Sequence, residues 1–297
     1  MLFRSFRRPE FDRYARFKSH GSAREIFDWE EMCGTLLPVP PLSKQIKIVK
    51  EYNVIQNRIA LNQKLIQKLE ETAQTIYKRW FVEFEFPDEN GVAYKSNGGE
   101  MIESELGEIP KGWRSLTLLN YSVLSQGIQV EIENQFLKKG NGMNRFLRII
   151  DYTPNTEELP RFVNIKDKRY YCTSDDIAMI RYGDAGTVCR RFDGIIANNL
   201  FKISPEKPLT NNFLFYFLKD ENIQRLIRTS AASSTLPAIT HTAIKELPVI
   251  CPSNEQLQFF DNFAQKIENT VLSKKQETQK LTELKNLLLS KLATVED

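Results

Sequence analysis

The stretch LPVPPLSKQIKIV at residues 37–49 returns, loosened, as LPVICPSNEQLQF at residues 247–259. Each copy carries Leu-Pro-Val and then proline, serine and glutamine in one order: Pro41, Ser43 and Gln45 in the first, Pro252, Ser253 and Gln256 in the second. Each opens a long run rich in Gln, Lys and Glu with periodic apolar residues. Each also follows a small-residue run, His20-Gly21-Ser22-Ala23 or Ala231-Ala232-Ser233-Ser234. Matches in the same order point to a duplicated supersecondary unit, and the spacing is far too long for a solenoid period.

Pro40 and Pro41 stand where a helix tolerates proline, at its start. From there Ile48, Tyr52, Ile55, Ile59, Asn62, Ile66, Leu69, Ala73 and Ile76 recur at alternating steps of four and three. That is heptad spacing, which keeps an apolar seam aligned with a partner helix; the competing reading is an ordinary amphipathic core helix. Asn62 falls in the seam, where a polar residue sets register at some cost in stability. The second run repeats the plan with Leu257, Phe260, Ala264, Ile267 and Val271, then Leu281, Leu284 and Leu288, and its polar middle at 273–280 weakens the seam. Two such helices flanking a folded domain are expected to pair antiparallel.

Between them the texture changes. Phe86-Pro87-Asp88-Glu89-Asn90-Gly91 and Lys95-Ser96-Asn97-Gly98-Gly99 read as a polar, turn-rich linker. Short β-like runs follow at 145–150, 177–182 and 194–197, separated by turn signals at Gly140-Asn141-Gly142, Gly183-Asp184-Ala185-Gly186 and Pro205. One helix is expected from Asn212 to about Arg228, with Phe213, Tyr216, Phe217, Ile223 and Ile227 on its apolar side. The expected fold class is therefore α+β: a mixed α/β domain plus two long helices pairing as an antiparallel coiled coil.

Composition permits this without demanding it. A chain of 297 residues that is 41% hydrophobic can bury a core, and its net charge of +3 allows a nucleic-acid surface without requiring one. Cys33, Cys172, Cys189 and Cys251 form no CxxC pair, so they read as reduced thiols and not as zinc ligands. The Arg-rich start MLFRSFRRPE lacks an apolar signal core, and no stretch is apolar for the length of a membrane span. Cytoplasmic location is the expectation.

The arrangement resembles the specificity (S) subunit of Type I restriction–modification systems. The proline-rich entry at 37–49 is similar to that family's entry into its conserved helix, and TAQTIYKRWFVEF (72–84) to the end of that helix. LGEIPKGW (106–113) resembles the entry to the next target-recognition domain, and DIAMIRYG (176–183) a common Asp-Ile, strand, Gly element within it. The resemblance implies a remnant of a first recognition domain at 1–37 and a first conserved long helix at 38–86 acting as spacer. A linker at 87–112, a complete recognition domain at 113–250 and a second conserved helix at 251–297 follow. RYARFKSHGSA (13–23) falls in the remnant, so the expectation is an N-terminally truncated subunit with one complete recognition domain. The resemblance further implies double-stranded DNA, methyltransferase (M) subunits and a restriction/translocase (R) subunit as partners, with self-association through a second copy as a further expectation. S-adenosylmethionine and ATP with Mg would sit on the partners, with no cofactor here. The competing reading is a degenerate or silent cassette that acts only as a folded interaction protein.

Catalysis is argued against by missing motifs. There is no GxxxxGK[ST] loop, no Asn/Asp-Pro-Pro-aromatic turn to hold a target amine, and no Glu-x-Lys soon after Pro87-Asp88. With His20 and His241 as the only histidines and no Gly-x-Ser-x-Gly elbow, a Ser–His hydrolase has little support. DNA-contact candidates are donors beside turns: Arg145, Arg148, Lys166, Lys168, Arg169, Tyr170, Arg181, Tyr182, Arg190, Arg191, Asn198 and Asn199. Lys and Arg neutralise phosphates; Arg can read guanine, and Asn adenine, through paired hydrogen bonds. For each taken singly, a solvated charge or a turn-forming Asn is the competing account. The run Ser230 to Thr235 reads as phosphate-reaching or as plain loop. The aromatic group Tyr77, Trp80, Phe81, Phe84 and Phe86 reads either as a partner surface or as packing against its own recognition domain.

Overall fold

The computed structural model describes residues 6, 9–20, 26–36, 41–88, 90–153, 158–231 and 238–291. The first Leu-Pro-Val copy, most of His20–Ala23 and most of the Ser230–Thr235 run lie outside them. The chain divides into two compact units, one of Met1–Gln67 with Ser273–Asp297, the other of Lys68–Leu272. The elements run α1 (Pro9–Lys18), α2 (Trp29–Cys33) and α3 (Leu42–Tyr77), which ends in a π-helical turn at Lys78–Val82. Then come β1 (Met101–Ser104), β2 (Gly107–Pro110), β3 (Arg114–Thr117), β4 (Ser122–Gln126), β5 (Asn144–Leu147), α4 (Ile149–Tyr152), β6 (Arg161–Val163), β7 (Tyr171–Cys172) and β8 (Ile177–Ile180). β9 (Val188–Cys189), β10 (Gly194–Ile196), β11 (Leu200–Pro205), α5 (Asn211–Leu218), α6 (Glu221–Ala231), α7 (His241–Lys245), β12 (Pro248–Cys251) and α8 (Asn254–Lys291) complete the order.

The heptad reading of α3 holds position by position. Ile48, Ile59, Asn62 and Ala73 are buried, and Tyr52, Ile55, Ile66, Leu69 and Ile76 are half-buried. In the smaller unit, Arg58 Nε meets Glu277 Oε1 at 2.7 Å and Lys285 Nζ donates to Gln56 Oε1 at 3.2 Å, so α3 and α8 run antiparallel there. Past the polar middle of α8 the seam reading holds only in part: Leu281 and Leu288 are half-buried, but Leu284, expected in the seam, is exposed.

In the larger unit the same pair is again antiparallel. Tyr77 packs on Phe260 at 6.0 Å and Trp80 stacks on Phe259 at 5.3 Å. Leu257, Phe260, Ala264, Ile267 and Val271 of α8 are all buried. The aromatic group at the end of α3 is core here and not a free surface. Tyr77, Phe81, Phe84 and Phe86 are buried among Phe213, Phe260 and Trp113, and only Trp80 stays partly exposed. Phe84 takes a left-handed φ of 62°, which stops the helical run while its ring packs edge-on against Trp113.

The linker is more ordered than its composition suggests. Its polar half turns at Asp88, whose Oδ1 accepts from the Asn90 and Val92 amides. Its second half is the β1–β2 hairpin, anchored by the buried Ile109. β3 then pairs antiparallel with β12, Thr117 opposite Pro248, which ties the start of the segment between the two long helices to its end.

Two four-stranded sheets form the body of that segment, in the orders β6-β5-β10-β7 and β4-β11-β8-β9. They share a core of Phe146, Leu147, Ile180, Ile195, Ile196 and Leu200, among others. Glycines permit the closest backbone approaches: a Cβ on Gly127 would stand 2.1 Å from the Ala197 carbonyl oxygen, and one on Gly194 2.3 Å from that of Arg145. The β-like runs end earlier than read from sequence, the first of them because the chain leaves β5 at Arg148 and enters α4. The single helix expected from Asn212 is two: α5 ends at Leu218, and Asp220 Oδ1 accepts from the Asn222 amide to start α6. Continuous apolar periodicity hid that break.

Cys172, Cys189 and Cys251 are buried free thiols and Cys33 an exposed one; burial, helped by Asp176, pushes Cys172 up to about 12. Among the described residues no group of His, Cys, Asp or Glu is placed to hold a metal ion, and no helix is long and apolar enough to cross a membrane.

Candidate nucleic-acid interface

One end of the β4-β11-β8-β9 sheet collects polar side chains from three chain segments. β4 ends at Gln126, β8 at Ile180 just before Arg181 and Tyr182, and Asn198-Asn199 leads into β11. Register puts Gln126 opposite Phe201 and Leu200 opposite Ile180, so these three segments meet at one edge. The Arg181 amide donates to Asn199 O at 2.9 Å. Gln126 Nε2 donates to the carbonyls of Asn198 and Leu200, while its Oε1 accepts from Arg181 Nη1 at 3.3 Å. The Arg181 guanidinium lies over the Tyr182 ring at 4.9 Å. His241 packs edge-on to Phe201 at 5.0 Å; burial, then the charges of Arg181 and Lys245, hold its imidazole below the usual value. Arg181, Tyr182, Asn198 and Asn199, separate in sequence, are thus brought into one cluster. Gln126 belongs to it and was missed, since SQGIQ (125–129) shows only a lone Gln before a Gly.

A second group lies beside β4. The turn Lys168–Tyr170 starts at Asp167, whose side chain accepts from the Arg169 amide at 2.9 Å. Lys202, opposite Ser125 in the sheet, donates to the Tyr171 carbonyl at 2.9 Å and holds the turn's exit against the β4–β11 pair. Lys166, Lys168 and Arg169 are exposed. Arg169 lies over the Tyr170 ring at 4.6 Å, donates to its hydroxyl at 2.6 Å and sits 3.4 Å from Asp167. An exposed pair of that kind contributes little to stability, so these charges stay available to an anionic partner.

Arg190 and Arg191 are not on a surface, which corrects their reading as contact residues. Arg191 Nε and Nη2 donate to the two carboxylate oxygens of Glu268 at 2.8 and 3.0 Å, and its Nη1 to Glu70. Tyr216 donates its hydroxyl to Glu268 Oε1 at 2.6 Å. Arg190, 5% exposed, donates to Asn212 Oδ1 at 2.9 Å and to the Asp175 carbonyl at 3.1 Å, with Phe215 under its plane. Burial alone would raise the Glu268 carboxyl; the bonds and charge of Arg191, with Arg190 and Tyr216, outweigh it and hold it below the usual range. The backbone of Arg191 has a left-handed φ of 82°, uncommon for a non-glycine residue and held here by this network. The pair fastens the β9–β10 connection to α3, α5 and α8.

Arg145 and Arg148 are also largely committed internally. Asp151, with its side chain 3% exposed, accepts from Arg145 Nη2 at 2.9 Å, Arg148 Nε at 3.1 Å and the Arg148 amide at 3.0 Å. Arg145 lies over Phe192 at 4.5 Å, and Arg148 also donates to the Leu159 carbonyl at 3.0 Å. They cap α4 and close β5 rather than offer a free fork. The candidate interface is therefore the sheet-end cluster together with the Lys166–Tyr170 segment.

Comparison with known proteins agrees with this architecture. Residues 130–283 match the model of the family described as Type I restriction modification DNA specificity domain. The chain is 22% identical to the Type I restriction enzyme HindI specificity subunit of Haemophilus influenzae, over 86% of this chain and 68% of that one. It is 24% identical to the putative type I restriction enzyme MjaX specificity subunit of Methanocaldococcus jannaschii, over 87% of this chain and 58% of that one. The chain thus spans roughly three fifths to two thirds of the length of these relatives. In fold it is similar to the crystal structure of a Type-I restriction-modification system S subunit from M. genitalium, with a TM-score of 0.57 at 15% identity, over 92% of this chain and 67% of that one. The matched region covers every strand of the two four-stranded sheets except β4, together with most of α8, and on that match the chain belongs to the Type I restriction modification DNA specificity domain family.

Proposed function

We propose that this chain is the non-catalytic, DNA-reading specificity subunit of a Type I restriction–modification complex. In this reading residues 113–250 recognise half of a bipartite site in double-stranded DNA, and the two long helices dock methyltransferase subunits. A restriction/translocase subunit joins through the assembly, and S-adenosylmethionine and ATP with Mg belong to those partners. Family membership supports the reading, and one observation carries it: the exposed Lys166, Lys168 and Arg169 stand beside a sheet end that gathers Gln126, Arg181, Tyr182, Asn198 and Asn199. Lysine and arginine on a turn supply phosphate affinity, and side-chain amides with a planar guanidinium supply base readout.

Docking is supported by apolar side chains that α3 leaves uncovered. Val54, Leu61 and Leu65 are exposed at helical spacing in the smaller unit. A second copy of the chain pairing through such a face would present two copies of the sheet-end cluster to one palindromic site.

The test uses the full chain purified with a Type I methyltransferase subunit, titrated with a randomised duplex library in the presence of competitor DNA. Sequence-dependent enrichment above competitor is expected, and its absence overturns the proposal. Light scattering on the same material is expected to find two copies; a single copy under all conditions removes the pairing.

A further inference from the structure

The sheet-end cluster carries one assignment more specific than DNA contact. Among the described residues, Arg181 spends a single side-chain donor inside the protein, Nη1 toward Gln126, while its buried Nε has no partner. Asn199 Oδ1 and His241 Nε2 are likewise buried and unpartnered among the described residues. Buried polar atoms are nearly always satisfied, so several orphans at one end of one sheet mark a place completed by something else. The partner must be rich in acceptors on the guanidinium side, because arginine offers only donors.

The plane of the guanidinium is held in advance. Tyr182 lies beneath it, Gln126 grips Nη1, and the Arg181 backbone is fixed by the Asn199 carbonyl on one side and the Ile239 amide on the other. Gln126 is itself held by the Asn198 and Leu200 carbonyls. Restraint of this kind does little for a phosphate contact, which a swinging side chain makes as well. It favours a bidentate contact, where two parallel N–H bonds must meet two acceptors in one plane. The guanine major-groove edge presents such a pair, O6 and N7. The charges that suit phosphates stand separately, on the exposed Lys168–Tyr170 turn beside β4.

We infer that Arg181 is a specificity-determining residue that reads a guanine in the half-site, with Gln126 as the positioning residue that sets its plane. This rests on the proposed function, and the experiment separates the two. Duplex selection from a randomised library is run at one salt concentration on the full chain with its methyltransferase subunit. The variants compared with the unaltered chain are Arg181→Lys, Gln126→Ala and Lys168→Ala, each checked by thermal melting.

The unaltered chain is expected to enrich a motif containing a strongly preferred guanine. Arg181→Lys keeps the charge and loses the fork, so discrimination at that position should fall by roughly ten- to a hundredfold with the other positions intact. Gln126→Ala should relax the same position less, and Lys168→Ala should weaken all sequences alike. If Arg181→Lys enriches the same motif with the same strength, or loses affinity uniformly, the assignment is overturned while the proposed function stands. If the unaltered chain enriches no motif at all, the proposed function falls and this assignment with it.

Discussion

Two basic pairs flank β8, and they have opposite fates. Lys168-Arg169 sits on an exposed turn, while Arg190-Arg191 is buried against Glu268, Glu70 and Asn212. Local sequence hardly separates them, since each adjoins an aromatic residue and an aspartate. The difference lies in what arrives from far along the chain. Glu268 on α8 and Glu70 on α3 converge on Arg191, whereas the nearest acid to Arg169 is its own neighbour Asp167. A guanidinium is left in water unless a carboxylate and hydrogen-bond acceptors reach it in the interior, because unpaired burial is costly. A basic pair is thus a surface feature by default and a core feature only when distant acids meet it.

The sharpest way to break this contrast is to remove the acid. Glu268→Gln leaves two buried guanidiniums without their shared counter-charge and should cost about 3–5 kcal/mol in urea unfolding. A loss under about 1 kcal/mol would show that Arg190 and Arg191 are hydrated, and would return them to the surface set. Asp151→Asn tests the intermediate case, where one buried carboxylate holds Arg145 and Arg148. It should cost about 1.5–3 kcal/mol by the same measurement. A neutral result would free both arginines for an outside partner.

The exposed pair should behave the other way round. Lys168→Gln with Arg169→Gln should leave the melting temperature unchanged while the slope of log affinity for duplex DNA against log salt becomes shallower by about two. A stability loss with an unaltered slope would reverse the comparison. The smallest expected effect is at Glu277 in the smaller unit, where hydrogen bonds from Arg58 and Lys274 hold the carboxyl at about 2 against an ordinary 4.5. A lowered folded-state pKa stabilises above the unfolded value and is lost as pH falls, here from about 4.5 toward 2. Glu277→Gln should flatten the stability-versus-pH curve slightly in that window, and an identical curve would show the bridge to be inert.

Much of the architecture was legible because it is periodic or punctuated. The seam from Ile48 to Ile76 needed only heptad spacing, and each residue in it is buried or half-buried. In α8 the apolar period holds through Val271, whereas Leu284 beyond it is exposed. What escaped was local: the break at Lys219-Asp220 made by a capping carboxylate, the β1–β2 hairpin within a polar segment, and the α4 turn after β5. Each depends on one or two hydrogen bonds that leave no mark on an apolar period. In the candidate site, Lys166, Lys168 and Arg169 are exposed, which is compatible with DNA contact and with a solvated charge alike. Gln126 could not be found from local sequence, because strand pairing across a long separation in sequence is what brings it to Arg181.

By itself, then, the sequence determined the two helices, the domain between them and the family resemblance that their entry motifs carry. Those features follow from apolar period and from proline and glycine placement, which act over a few residues. Only the tertiary structure decided which arginines face outward, that the α3 aromatic group is core, and that Gln126, Arg181 and Asn199 share one sheet end. Those outcomes turn on carboxylates, rings and strands brought together over long stretches of chain, and neither period nor local composition encodes such meetings.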